Sequence, residues 1–125
     1  MAPEAAVPST INLAVLRGVV SGPAELRHLP SGQRLATLAI RTHGLTPPAT
    51  SVPVAVWDPP AWLDAIEPDT VLCVVGAVRR RFYRAPSGAL ASRVEVEAAL
   101  VARATDARQV RRARRLLDTS LDEWA

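Results

Sequence analysis

Residues 79–88, RRRFYRAPSG, set Arg79, Arg80, Arg81 and Arg84 around the adjacent aromatics Phe82 and Tyr83, directly before a Pro-Ser-Gly turn. The chain has only five aromatic residues, so two of them side by side among four arginines concentrate much of its interacting capacity. A planar guanidinium pairs with anionic oxygens and stacks on flat rings, so the cluster has the chemistry of ligand contact. The same residues also suit an ordinary hairpin standing in water. Two features favour contact: the arginines exceed what solubility demands, and the aromatics precede a turn instead of sitting within a core segment.

Catalytic chemistry has little to build on. There is no Gly-rich phosphate loop, no HExxH and no pair of cysteines, and His28 and His43 stand alone in turn-like surroundings as surface residues. No catalytic residue, metal site or cofactor is expected. The single cysteine, Cys73, lies in the apolar run TVLCVVG, where it fills core space and forms no intramolecular disulfide. A reduced, cytoplasmic setting fits it, and no segment approaches the roughly 20 apolar residues of a membrane span.

All fifteen basic residues are arginine, set against twelve acidic ones for a formal charge of +3. The net charge is modest, so the placement of the arginines matters more than their number. At 125 residues and 49% hydrophobic composition, the chain has enough for one domain with its own core.

The elements that must position the cluster alternate with period two. INLAVLRGVV (11–20) reads as a strand, SGPAEL breaks it, and HLPSGQ turns into RLATLAIRT (34–42), with which the first strand is expected to form a hairpin. HGLTPPATS is too rich in proline to be regular. VPVAVW (52–57) alternates again, with Val52, Val54 and Val56 inward and Pro53, Ala55 and Trp57 on the other face. DPPAWLDAIEP (58–68) predicts a helix of two or three turns, with Asp58 as N-cap and Pro68 as stop. Segments 70–84 and 89–103 flank Pro86-Ser87-Gly88 as a long hairpin. Val94 and Val96 share one of its faces, and Arg93, Glu95 and Glu97 lie on the wet one. The predicted fold is all-β: a five-stranded Greek-key barrel of the OB type, with a short helix between strands three and four. Such barrels commonly hold oligonucleotides or oligosaccharides.

The chain resembles the bacterial single-stranded DNA-binding protein family from about residue 10 to residue 103. NLAVLRGVV carries Asn12, Leu16 and Gly18 at matching positions. AELRHLPSGQRLATLAIRT carries Glu25, Arg27, Pro30, Gly32, Ala36 and Thr42, and VVGAVRRRFYRAPSG keeps the family's spacing from Gly76 to Gly88. The resemblance implies single-stranded DNA binding with little sequence preference in replication, recombination or repair, by bases stacking on rings and arginines meeting phosphates. It also implies a homotetramer or homodimer and contacts with replication or repair proteins. On the family's pattern Trp57 and Tyr83 are the stacking residues, and Arg79, Arg81 and Arg84 hold the backbone. Trp57 could instead pack on the following helix through Pro60 or Trp62. Phe82, pointing opposite to Tyr83, is expected in the core.

The departures matter as well. The tryptophans usual in the loop after strand two and at the start of strand three are missing, near HGLTPPATS and at Ser51, so binding should weaken or shift toward arginine. Arg41 and Arg17 are candidates for that contribution, although Arg17 equally suits a solvated strand. In place of the family's flexible tail with its acidic, aromatic tip, the chain runs TDARQVRRARRLLDTSLDEWA. There Val110, Ala113 and Leu117 recur at helical spacing among five arginines. This predicts three parts: a flexible lead-in over 1–9, the barrel over 10–104, and a basic amphipathic helix over 105–125. The helix is a packing element or an additional DNA-contacting arm, and LDEWA is its ordinary end or a shortened recruiting tip. The rival to DNA binding is a protein-interaction module on the same barrel, as in the related primosomal protein with its few aromatics.

Overall fold

The computed structural model describes residues 9–124; the expected flexible lead-in falls almost wholly outside this range, as does Ala125. Six strands form, one more than the alternation predicts: β1 (Ala14–Val20), β2 (Glu25–His28), β3 (Arg34–Thr42), β4 (Thr50–Trp57), β5 (Val71–Arg84) and β6 (Leu90–Arg103). The additional strand is β2, which lies at the edge of the segment read as a break. Its residues Glu25, Arg27 and His28 are exposed, so it carries little hydrophobic signal and forms by pairing with β3. The hairpin expected between the first and second predicted strands is therefore β2–β3 instead. β1 meets β3 only at Val19 and Val20, and runs mainly against β5 from Ala14 to Val19.

The sheet order is β1-β5-β6-β4-β3-β2, with the further β1–β3 pairing. All joints are antiparallel except β4–β6, which is parallel at Val54↔Val96 and Ala55↔Glu97. Two glycines permit close approaches that a side chain would block. A Cβ on Gly18 would strike the Arg41 carbonyl and the Ile40 side chain, and one on Gly76 would strike the Glu97 carbonyl, at the point where the β5–β6 register shifts. Beyond the end of β1 the Asn12 carboxamide takes over as a surrogate strand. Its Nδ2 donates to the Val78 carbonyl at 2.8 Å, and its Oδ1 accepts from the Val78 N–H at 2.9 Å.

The main core gathers Val20, Ile40, Val54, Leu63, Leu72 and Val74 with their neighbours between the sheet faces. Val54 and Val56 are buried, as the alternation predicts. The helix expected over 58–68 is reduced to a 3-10 turn at Ala61–Ala65, preceded by Pro60 with no side-chain cap. Asp58 does not cap it: with φ +45 it turns back and accepts the Arg34 N–H at 3.1 Å. Consecutive prolines at 59 and 60 leave the chain extended there, and within the 3-10 turn itself Leu63 is the buried residue.

The predicted C-terminal helix forms as α1 (Ala107–Leu121). Asp106 caps it by accepting the Gln109 N–H at 3.0 Å. Ala113 is its buried residue, and with Leu116 and Leu117 it covers a second apolar cluster built on Val75 and Ala102. Cys73 packs there, partly buried, as a free thiol. Among the described residues no helix is long and apolar enough to cross a membrane.

Candidate nucleic-acid interface

β5 leaves the core after Ala77 and continues to Arg84 with β6 as its only strand partner over that stretch among the described residues. Alternation sends its residues to two faces. Arg79, Arg81 and Tyr83 share one, while Arg80 and Phe82 take the other, where the Arg80 Nη1 donates to the Ser92 hydroxyl at 3.1 Å. Phe82 is not in the core: it is 64% exposed. The hairpin carries it beyond the last residue that the main core can cover, and its cross-strand partner is Ser92. β6 departs from expectation as well: Val94, beyond the core, is exposed, whereas Glu95 on the face read as wet is only 5% exposed.

Glu95 is covered by the arginines it pairs. Its two oxygens receive Arg81 Nη1 at 3.5 Å and Arg93 Nη2 at 3.4 Å, and Arg81 and Arg93 are themselves cross-strand neighbours. One carboxylate therefore holds two guanidinium groups together that would otherwise repel. Next to them Arg79 Nε lies 2.7 Å from a Glu97 oxygen. The arginine row is partly neutralised from within its own hairpin.

The row is bounded at each end by an aromatic residue. One cleft of about 300 Å³ is lined by Ala55, Trp57, Glu95 and Glu97 and by all three of Arg79, Arg80 and Arg81. A second, of about 450 Å³, is lined by Arg81, Tyr83, Arg84, Arg93 and Thr37, together with Glu25 and Arg27 from β2. Arg81 belongs to both, so the two clefts form one course across the sheet from Trp57 to Tyr83. Trp57 is 38% exposed and Tyr83 44%. Trp57 combines the two readings of the sequence: its ring is open on the arginine side and also shares a cleft with Pro60 and Trp62. Arg84 steadies the turn, donating from Nη1 to the Gly88 carbonyl at 3.0 Å.

Arg17 and Arg41 are exposed on β1 and β3 and line neither cleft; Arg17 Nη1 lies 3.8 Å from the Cys73 sulfur. Arg27 and Arg93 were not singled out as site residues from the sequence, yet they join the course. For Arg93 the signal was present, because hairpin pairing sets it opposite Arg81; for Arg27 it was not, because it depends on β2. Among the described residues no group of His, Cys, Asp or Glu is arranged to hold a metal ion.

A six-stranded sheet with a parallel β4–β6 joint and a protruding β5–β6 hairpin defines the fold, and solved structures are similar to it. The chain is similar to the wild-type single-stranded DNA-binding protein from Thermus aquaticus, with a TM-score of 0.60 and 22% identity over 77% of this chain and 41% of that one. A deletion variant of the same Thermus aquaticus protein matches with a TM-score of 0.61 and 21% identity, over 77% of this chain and 42% of that one. The chain thus has the OB-type fold of the single-stranded DNA-binding proteins and spans about two fifths of the length of those solved chains. No family model and no curated protein sequence matches it.

Proposed function

We propose that this chain binds single-stranded DNA with little sequence preference, serving replication, recombination or repair. The observation that carries the reading is that Trp57 and Tyr83, both open to solvent, bound a course of arginines lining two clefts that adjoin at Arg81. Bases stack on the two rings while Arg79, Arg81 and Arg84 meet the phosphates, and stacking on a ring serves every base alike. A strand that wraps further meets Arg41 and Arg17. In this reading the β1–β3 pairing brings the sheet round into a Greek-key barrel over residues 10–104, with the C-terminal helix as an appended arm. The protein works as a homodimer or homotetramer in the cytoplasm, beside the nucleoid.

The test is a salt-resolved titration of the protein with oligo(dT) and with a duplex of equal length, followed by tryptophan fluorescence. Quenching by the single strand, weak binding of the duplex and a log–log salt slope of about 0.7 per phosphate contact are expected. Equal affinity for both would overturn the proposal. A protein-interaction module is the second reading, and one observation favours it: Val78, Phe82, Leu90 and Val94 are exposed on the hairpin. If oligo(dT) leaves the fluorescence unchanged, this second reading takes its place.

A further inference from the structure

The arginines of α1 are not distributed evenly around it. Arg114 is paired with Asp118 at 3.6 Å, whereas Arg108, Arg111, Arg112 and Arg115 have no ion-pair partner among the described residues. At 3.6 residues per turn, Arg108, Arg112 and Arg115 form one stripe along a flank of the helix, and Arg111 lies further round its back. Arg112 lines a cleft of about 240 Å³ whose other walls include Trp57, Trp62, Gln109 and Asp58, the last engaged by the Arg34 N–H. Trp57 therefore stands between two spaces: the arginine course of the hairpin on one side, and this cleft beside the helix on the other.

The cleft is held in place from several directions. Arg103, the last residue of β6, stacks its guanidinium 4.9 Å from the centroid of the Trp62 ring and lies 3.5 Å from Asp106. Its N–H donates to Gln109 Oε1 at 2.8 Å, while Asp106 caps the helix. One residue thus ties the tryptophan wall to the start of α1. The volume is below the roughly 300–1,000 Å³ of pockets that enclose a whole small molecule, which suits one base entering beside a ring. The adjacent stripe carries no internal neutralisation, in contrast to Arg79 and Arg81.

From this arrangement we infer that α1 is a second contact site for the same single strand. A strand leaving the hairpin passes Trp57, places a base in the Trp57–Trp62 cleft, and runs its phosphates along Arg108, Arg112 and Arg115. This rests on the DNA-binding reading above and adds an element to it. The path crosses from the β5–β6 hairpin to the helix, so an oligonucleotide long enough to reach α1 gains contacts that a short one lacks.

The experiment compares two variants of the full chain that remove equal charge, Arg108→Gln/Arg112→Gln on the cleft flank and Arg111→Gln/Arg114→Gln away from it. Each is titrated with a short and a long oligo(dT) over a range of salt. All four arginines are exposed, so α1 should persist in both variants, which circular dichroism checks. The expected result is that the cleft-flank variant loses up to about 1.4 from the salt slope with long oligo(dT), from two phosphate contacts of about 0.7 each. It should be near the parent with the short one, and the control variant should remain near the parent with both. Equal losses in the two variants would mean that only overall charge matters and would overturn the inference, as would an unchanged slope in the cleft-flank variant. If the parent itself fails to bind oligo(dT), the DNA-binding reading falls, and this inference with it.

Discussion

At the scale of the residue, the arginine course owes its character to two acids as much as to its bases. Glu95 is enclosed by Arg81 and Arg93, and Glu97 holds Arg79, so on the proposed reading a phosphate has to compete with carboxylates already in place. Replacing Glu97 with Gln frees Arg79. An exposed pair is worth roughly 0.2–1 kcal/mol, so oligo(dT) binding should tighten by at most about fivefold, with a steeper salt slope, as read by titration. In the proposed mode of binding, Tyr83 supplies the stacking component. Tyr83→Ala should cost about 1–3 kcal/mol of affinity with the salt dependence nearly unchanged. Arg81→Ala should flatten the slope. A folded Tyr83→Ala protein that binds as tightly as the parent would show the hairpin to be merely solvated.

At the scale of the element, the hairpin is placed by a close approach between β5 and β6 at Gly76. The register shifts there, and the Glu97 carbonyl occupies the space a Cβ would need. Gly76→Ala should destabilise the fold by roughly 1–3 kcal/mol, the usual cost of forcing atoms into a packed site, measured by urea denaturation. The outer hairpin is read easily from its sequence because turn residues and alternation act locally. Which side of each strand is covered was harder to read. Phe82 and Val94 are apolar and Glu95 is charged, yet Glu95 is buried and the other two are not, since two arginines cover the carboxylate while the core ends short of the apolar pair. The segment after Asp58 misled for a related reason: its cap and proline signals suit a helix, but Asp58 is engaged by Arg34 from β3.

At the scale of the whole molecule, β1 is paired with β5 along Ala14–Val19 but with β3 only at Val19 and Val20. Its other edge over Ala14–Gly18 has no strand partner among the described residues, and Val15 and Ile11 are exposed beside it. An open edge with apolar neighbours is a template for pairing with another strand. Sedimentation at micromolar concentration should therefore give a dimer or tetramer; a 13.4 kDa species alone would exclude self-association through β1.

Period-two alternation, turn residues and helical spacing are properties of neighbours in the chain, so the sequence alone determined a mostly β protein. From them followed the long hairpin read over 70–103, which became β5 and β6, the two faces of the arginine cluster, and the helix that became α1. Glu25–His28 became a strand only because β3 lay beside it. The meeting of Trp57 with Arg79 and Arg81 was likewise decided by tertiary structure. It depends on the parallel joint of β4 with β6, between residues far apart in the chain, and no local pattern encodes that pairing. The same holds for the Trp62–Arg103–Asp106 contacts that set α1 beside the site. Alternation assigns a side chain to one of two faces; only the packed neighbours decide which face is covered and which stays open to a ligand.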